Sequence, residues 1–400
     1  MNLICPRRRN SFLLWLLLMG MSGLQRANAQ LNPFQLAGKQ FMTRNSRLNY
    51  IAPLQTLLAN KKQFGRESED GPYAQALSTF YSFVGKINSA PLPRTSPAYR
   101  LVPVEPLLLP CAQATSVVIL NEAHDQPAHR VYCRRLLAQL APLGYRYFAV
   151  EALDPQATGL NERKFPLATS GFYTCEPNMG NLLRAATENG FTVFSHEVTQ
   201  SQHKDFADGR RDSNYRDSMQ AVNILAVLWA HPQAKLVALV GYGHVMEQER
   251  DGLKRLATYL RELGRIDPLT IDQTQAYPSA KTAQPLVLAS GDGQPVAMGN
   301  YWKTVDLQII HPPVAWTNGR PNWLAANKAI TAAIPFPYLG HVSLVQLYDQ
   351  TEYQKYGEKA VPLDQYLTTA TQQRVFLFPY KSKRRTLIKY RSAELLGRKQ

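Results

Sequence analysis

The stretch SVVILNEAHD, residues 116–125, decides the fold. Four apolar residues at 117–120 run directly into polar ones, among them Glu122 and His124. A short, continuous apolar run is typical of a strand that is buried on both faces, as in a parallel sheet. Where such a run repeats along a chain, the polar residues that end each strand lie along one edge of the sheet.

The pattern recurs between residues 116 and 272. Apolar runs predict five strands, at residues 117–120, 145–150, 191–194, 235–240 and 268–271. Between the runs, apolar residues recur at the three- and four-residue spacing of helices, which end at glycine or proline. We place the start of the longest helix at Asp212 or Ser213 and its end at His231. The alternation predicts an α/β fold in which helices cover both faces of a mostly parallel sheet.

The regions on either side of this core have a different character. Residues 30–115 are interpreted as a partly helical N-terminal extension, and the α/β core that carries the site spans residues 116–275. Residues 276–400 are interpreted as a β-rich α+β region, which completes the core sheet, caps the site or forms a small domain of its own. Within it we expect a hairpin at 285–298 and two strands around a basic loop at 374–392.

Residues 1–29 have the pattern of a secretion signal. Three arginines at 7–9 precede a mostly apolar run at 12–21, and Ala27-Asn28-Ala29 matches the small-x-small cleavage motif. A run of this length is too short to span a bilayer, which argues against a membrane anchor. We therefore expect an exported, periplasmic or extracellular protein whose mature chain begins at Gln30.

The net charge limits the expected binding partners, and the cysteine content limits the expected disulfides. Loss of the signal removes four arginines and no acidic residue, so the net charge falls from +16 to +12. A basic exported protein can contact an anionic envelope surface or acidic ligands. Nucleic acid is not expected as a partner, because the sequence carries no nucleic-acid-binding motif. The three remaining cysteines permit one disulfide but do not make a disulfide framework: Cys111, Cys133 and Cys175.

Four of the predicted strands lead into groups that can take part in acid–base or metal chemistry. The helix after the third strand carries Arg216 and Asp217 in its predicted first turn, and we expect Arg216 to pair with Glu122 or Glu151. Two carboxylates and two histidines at equivalent strand ends favour a functional site over solvated loop residues. In chain order the groups at the strand ends are Glu122 with His124, Glu151, His196 with Glu197, and His244.

Several neighbouring residues have structural explanations as well. His196 fits a buried core histidine as well as a site residue, and His129, one turn into the first helix of the core, is either a neighbour of the site or an exposed residue. Gly241 and Gly243 are predicted to allow tight turning of the backbone and close approach of a ligand. The spacing of the histidines differs from H-E-x-x-H, which excludes a standard zincin helix.

Several motifs together resemble the erythromycin-esterase/ChaN-like superfamily, whose relatives include TraB/TIKI-type metallopeptidases. The match covers roughly residues 116–272. The family usually begins its first motif with G-E-x-H, and Asn121 stands here in place of the glycine. The segments that carry the resemblance are LNEAHD at 120–125 with His129 after it, FAVEAL at 148–153, RDSM at 216–219 and LVGYGHV at 239–245.

The resemblance implies an exported hydrolase that acts on a small-molecule or peptide substrate. In hydrolytic members a histidine or a glutamate activates water for attack on an ester, lactone or amide, and imidazole suits this task because it titrates near neutral pH. Asp217 is expected beside the site as the second member of the Arg-Asp pair. The residues that match the family's site positions are Glu122, His124, Glu151, Arg216 and His244.

Two further possibilities remain open at this level. A divalent metal held by His124, His244 and a carboxylate, Glu122 or Glu151, would also activate water. Alternatively, the same scaffold binds haem or a metal without turnover, and tyrosine or histidine can ligate haem iron. The sequence has no C-x-x-C-H motif, so covalent attachment of haem in that manner is not expected.

The first prediction concerns export. Expressed with its first 29 residues in a secreting host, the chain should appear outside the cytoplasm with Gln30 at its N-terminus. Intact-mass analysis of the exported protein measures this directly. Exported protein that still begins with Met1 would contradict the cleavage site.

Overall fold

The computed structural model describes residues 32–42, 47–65, 71–87, 99–274, 284–324, 328–381 and 384–393. The proposed signal segment, with Cys5 inside it, lies outside the described residues. None of the helices in the described part of the chain combines the length and apolar character that crossing a membrane requires. Cys111, Cys133 and Cys175 are all free thiols, so no pair of them forms the disulfide that the sequence permits.

The secondary structure follows the predicted alternation. The helices are α1 (Pro33–Phe41), α2 (Ala52–Ala59), α3 (Pro72–Phe83), α4 (Glu105–Ala114), α5 (Pro127–Leu140), α6 (Leu160–Arg163), α7 (Pro177–Glu188), α8 (Gly209–Ala230), α9 (Leu256–Gly264) and α10 (Gln350–Tyr356). The strands are β1 (Arg100–Pro103), β2 (Val117–Glu122), β3 (Tyr145–Val150), β4 (Thr192–Phe194), β5 (Lys235–Gly241), β6 (Leu269–Asp272), β7 (Leu286–Ala289), β8 (Leu307–Ile310), β9 (Trp316–Thr317), β10 (Arg320–Pro321), β11 (Ile330–Ala333), β12 (Ser343–Asp349), β13 (Asp364–Leu367), β14 (Arg374–Leu377) and β15 (Thr386–Ser392).

The main sheet has eight strands in the order β1-β7-β8-β6-β2-β5-β3-β4. The six strands from β8 to β4 run parallel, whereas β7 is antiparallel to both β8 and β1. All five predicted core strands are present, and the fold is the predicted α/β arrangement. In the register of β2 and β5, Glu122 lies opposite Gly241, so the ends of these two central strands meet at the same level.

Helices cover both faces of this sheet, and strand β2 shows why its sequence is continuously apolar. Val118 and Leu120 pack into the cluster that contains side chains of α5 and α7. Val117 and Ile119 pack on the opposite face, against side chains of α8 and α9. All four side chains are fully buried, and each contributes roughly 1.5–3 kcal/mol to the free energy of unfolding.

The long helix α8 begins earlier than predicted. Its N-cap is Asp208, whose carboxylate accepts a hydrogen bond from the backbone N–H of Arg210 at 2.9 Å. Asp208 and Asp212 offer the same capping chemistry, so sequence alone does not choose between them. The consequence is that Arg216 lies about two turns into the helix, and not in its first turn.

The hairpin predicted after β7 is present but short. Its turn is closed by the Gly293 N–H and the Ser290 carbonyl at 3.0 Å, and the returning segment bonds β7 through the Val296 N–H and the Leu288 carbonyl at 3.0 Å. The rest of β7 pairs with β1 and β8. Farther on, β14 pairs with β11 and β15 pairs with β12, so the two strands around the basic loop have different partners.

The basic loop is tied to acidic residues of other elements. Arg384 donates to Asp349 at 2.7 Å and also to Glu188 at the end of α7, and Lys381 bonds the same Glu188. These pairs hold the start of β15 against the end of α7. They also neutralise part of the positive charge that the sequence places in this loop.

The second prediction concerns the junction of β6 and β8. The Thr270 hydroxyl donates to the carboxylate of Glu247, and the Thr270 N–H donates to Asp306 at 2.8 Å. Burial, together with the negative charge of Asp306, raises the pKa of Glu247 from 4.5 to about 7. The folded protein therefore binds the proton of Glu247 more tightly than the unfolded chain does. Protonated Glu247 contributes fully to the free energy of unfolding below pH 4.5, and this contribution is lost as pH rises through about 7.

Glu247→Gln removes this titration. Relative to the wild type, the variant should gain about 1–2 kcal/mol of unfolding free energy between pH 5 and pH 8, less than the full pKa shift because the side chain is partly hydrated. Urea unfolding of both proteins across this range is the measurement. A difference between the two proteins that does not change with pH would contradict the raised pKa.

Candidate functional site

A buried ion-pair network ends strand β2. Arg130 donates from Nε and Nη2 to the two oxygens of Glu122, each at 2.8 Å, and from Nη1 to Glu176 at 3.0 Å. Its Nη2 also donates to the carbonyl of His124 at 2.9 Å. Burial alone would raise the pKa of Glu122, but the charge of Arg130 and its hydrogen bonds outweigh burial and lower the pKa to about 2. Glu122 is therefore a charged carboxylate whose two oxygens both bind Arg130.

Neither Arg130 nor Glu176 was identified from the sequence. Arg130 is the fourth residue of α5, which starts after the turn that follows Glu122, so its side chain reaches back to the strand end. Glu176 is the N-cap of α7 and accepts from the N–H groups of Asn178 at 2.9 Å and Met179 at 2.8 Å. An arginine in the first turn of a helix that follows an acidic strand end is the signal that was available.

His124 is oriented by its neighbours. Its Nδ1 lies 3.2 Å from Oε1 of Glu122, and its side chain is 11% exposed. Its ring stacks on Tyr173, with centroids 4.5 Å apart and an interplanar angle of 19°, and meets the ring of Tyr242 edge-on at 5.3 Å. A carboxylate at Nδ1 favours the tautomer that carries its proton there.

A second network lies at the ends of β3 and β4. Arg216 binds Glu151 through Nη2 at 2.5 Å and binds both oxygens of Glu197, with Nε at 3.1 Å from Oε1. Gln220 adds a bond to Glu197 at 3.1 Å. Burial would raise the pKa of Glu151, but the charges of His244 and Arg216 hold that pKa well below its usual range. Of the two partners expected for Arg216, the structure thus gives Glu151, whereas Arg130 takes Glu122.

His244 belongs to the second network. Its Nδ1 lies 2.5 Å from Oδ1 of Asp217, which also accepts from the Leu256 N–H at 2.8 Å. Its Nε2 lies 3.2 Å from Nη1 of Arg216 and 3.8 Å from Oε1 of Glu151. Because Arg216 can only donate, the neutral ring carries its proton on Nδ1 and presents a lone pair at Nε2. Burial lowers the pKa of His244, but the charges of Asp217 and Glu151 raise it above 6.5 overall.

Gly241 brings the two networks together. Its N–H donates to Oε2 of Glu151 at 2.5 Å, and a Cβ added at this position would lie 2.8 Å from the ring of His124 and 3.4 Å from Glu151. The glycine is therefore required by the approach of His124 and not by a turn, since its φ is −83°. At Gly243 an added Cβ would meet nothing closer than 3.7 Å, so no protein atom requires a glycine there, and the close approach of a ligand stays a prediction.

The other predicted histidines are buried. His129 accepts the Ala123 N–H on Nδ1 at 3.0 Å and so supports the turn after β2, and burial together with His311 holds its pKa well below 6.5. His196 is completely buried, and within the described part of the chain neither of its ring nitrogens has a hydrogen-bond partner. Burial lowers the pKa of His196 to about 4, although Glu151 and Glu197 oppose this. Both rings are therefore neutral at physiological pH.

Asn121 has a role that the family comparison did not suggest. It is fully buried within β2, and its Nδ2 donates to the Tyr242 carbonyl and to Oδ1 of Asp272, each at 2.8 Å. Its Oδ1 accepts the Gln273 N–H at 2.8 Å. The amide thus joins the ends of three neighbouring strands, β2, β5 and β6, at the edge where the candidate site lies.

The four suggested metal ligands are not arranged as a metal site. Each carboxylate already bonds a guanidinium, Glu122 to Arg130 and Glu151 to Arg216, and a fixed cation in that position repels a metal ion. Among the residues that the structure describes, no group of three or more His, Cys, Asp or Glu side chains is placed to hold a metal. We therefore derive no step through a metal.

The arrangement provides two imidazoles and one shared carboxylate. His124 and His244 each have a carboxylate at Nδ1, from Glu122 and Asp217, and each lies beside Glu151. Both rings are mostly but not completely buried, with side-chain exposures of 11% and 13%. Imidazoles held in this way can take up and return protons near neutral pH.

Comparison with known proteins adds little. No family model and no curated protein matches the chain. Among solved structures, the chain is similar to the type III effector HopBA1 (13% identity, TM-score 0.37), over 55% of this chain and 100% of that one. It is also similar to RRSP, a MARTX toxin effector domain from Vibrio vulnificus (15% identity, TM-score 0.32), and to a structure described as bacterial protein toxins (14% identity, TM-score 0.32). The latter two matches cover 42% and 57% of this chain but only 36% and 44% of those chains, and TM-scores this low carry no argument.

The third prediction tests the Arg130 network. Arg130→Met should lower the free energy of unfolding by about 3–5 kcal/mol, because it leaves Glu122 and Glu176 buried without their partner. The matched control is Arg135→Met on the exposed side of the same helix, which should change stability by less than about 0.5 kcal/mol. Denaturant unfolding of both variants is the measurement, and equal effects would show that the buried network adds nothing.

Proposed function

We propose that the chain is an exported hydrolase of the erythromycin-esterase/ChaN-like type, which activates water against an ester, lactone or amide. The observation that carries the proposal is the pair of imidazoles, His124 and His244, each with a carboxylate at Nδ1 and both beside Glu151. Arginine, histidine and carboxylate groups converge there at the carboxyl ends of parallel strands, the usual location of active sites in α/β folds.

The proposed reaction needs only these groups and water. Nε2 of His244 accepts a proton from a water molecule that replaces Nη1 of Arg216, which lies 3.2 Å from this nitrogen in the resting site. The imidazolium that results is stabilised by Asp217 and Glu151. As the water oxygen bonds the carbonyl carbon, the π electron pair moves onto the carbonyl oxygen. When that pair returns, the bond to the leaving group breaks and His244 gives the proton to the leaving atom. His124, whose Nδ1 faces Glu122, orients the water.

The fourth prediction compares histidine variants. His124→Ala and His244→Ala should each lower the rate of hydrolysis by at least roughly a hundredfold, as loss of a catalytic base or of the group that orients the water does. The double variant should be little worse than either single variant, because groups that act as a unit are not additive. His341→Ala, at an exposed histidine of the C-terminal region, is the control and should retain full activity.

The assay is a panel of ester, lactone and amide substrates, run beside thermal melting of each variant. A well-folded His244→Ala protein with full activity would refute the proposed base. Activity that disappears with a chelator and returns with a divalent cation would contradict the metal-free route, and a Soret band in purified protein would favour haem binding instead. Glu122→Gln is less informative than the histidine variants. The charge of Glu122 stabilises the fold through Arg130, so the loss of that charge would change stability as well as activity.

A further inference from the structure

Tyr242 has an unusual backbone conformation for a residue with a side chain. Its φ is +33°, in the left-handed region that favours glycine, although it lies between two glycines that do not use that region. Such a conformation costs of order 1–3 kcal/mol and persists only where the surroundings impose it. Here the Tyr242 carbonyl is held by Nδ2 of the buried Asn121 at 2.8 Å. The position of Tyr242 is therefore imposed by the strand ends.

This conformation brings the Tyr242 ring to His124. The two rings meet edge-on at 89°, with centroids 5.3 Å apart. Tyr242 is 37% exposed, whereas Tyr173, on the face of the same imidazole, is 8% exposed. Tyr173 thus packs His124 from inside the protein, and Tyr242 is the aromatic residue of the pair that an incoming molecule can reach.

The hydroxyl of Tyr242 is suited to donate a hydrogen bond. Its oxygen accepts the backbone N–H of His124, and burial raises the pKa of this hydroxyl well above its usual range, so that it keeps its hydrogen at physiological pH. The nearby carboxylate of Asp125 already accepts a hydrogen bond from Ser78 at 2.7 Å. Within the described residues, no acceptor takes the hydrogen of the Tyr242 hydroxyl. A phenol that accepts one hydrogen bond becomes a better donor of the next.

We infer that Tyr242 is a catalytic residue, whose hydroxyl donates a hydrogen bond to the carbonyl oxygen of the substrate and stabilises the negative charge that forms there. The inference rests on the proposed hydrolysis, in which Arg130 and the Nε and Nη2 of Arg216 are engaged with carboxylates, whereas Tyr242 is partly exposed beside His124. Backbone strain of this kind is concentrated at active sites.

The fifth prediction is the effect of Tyr242→Phe, which deletes one oxygen and keeps the ring. With 4-nitrophenyl acetate, kcat should fall roughly a hundredfold while KM stays within about twofold, because the lost bond is made mainly in the transition state. Binding of 4-nitrophenyl methylphosphonate, whose phosphoryl oxygens imitate the tetrahedral oxyanion, should weaken by at least about tenfold. Tyr356→Phe, on α10, is the matched control and should leave all three quantities unchanged.

The outcomes separate this inference from the proposed function. If Tyr242→Phe keeps the wild-type kcat while His244→Ala is inactive, the hydrolase stands and the role of Tyr242 is wrong. If the wild type cleaves no member of the panel, the proposed function fails, and the phosphonate still decides the role of Tyr242: equal affinity in wild type and Tyr242→Phe overturns it. A melting temperature within about 2 °C of wild type shows that the variant is folded.

Discussion

A single guanidinium binds two buried carboxylates inside this protein. Glu122 and Glu176 are almost completely buried, and burying a carboxylate is costly unless an opposite charge binds it. Arg130 lies between them and binds both, so the end of β2 and the start of α7 are held in one position. The orientation of His124 depends on this, because its Nδ1 faces the same oxygen of Glu122 that Arg130 holds. Substitution of the whole triad by apolar residues would maintain packing but would leave the imidazole without an orienting charge.

Much of the fold was predictable because burial on both faces leaves a clear pattern in the sequence. The apolar runs that became β2, β3 and β5 contain only two charged residues, Arg146 and Lys235, both near strand starts, so the type and order of these strands followed directly. Which strands pair with one another was harder to predict from the sequence. The strands at the C-terminus are short and apolar in the same way, and nothing local states that β15 pairs with β12 and not with β14. Such choices depend on contacts between residues that are distant in sequence.

In the candidate site, too, some residues could be predicted from the sequence and others could not. Glu122, His124, Glu151 and His244 were found because they end strands that share one edge. Arg130 and Glu176 were missed because their functions arise only when two helices meet. Asn121 was noted as a departure from a glycine, yet its amide joins three strand ends and determines the backbone of Tyr242. A motif identifies groups that carry charge or reactivity, but not the neutral groups that position them.

The N-terminal helices are attached to the last part of the chain, and this determines when the protein can fold. Gln365 donates to the Phe83 carbonyl at 2.6 Å, a bond between residues 282 positions apart, and Lys86 donates to the Tyr366 hydroxyl at 2.7 Å. Gly85 packs so closely on β13 that a Cβ there would lie 2.3 Å from the Gln365 carbonyl oxygen. Helices α1 to α3 therefore cannot complete their core until the C-terminal strands have been synthesised. Contacts between residues this far apart in sequence slow folding, and these helices can reach their final packing only when almost all of the chain is available.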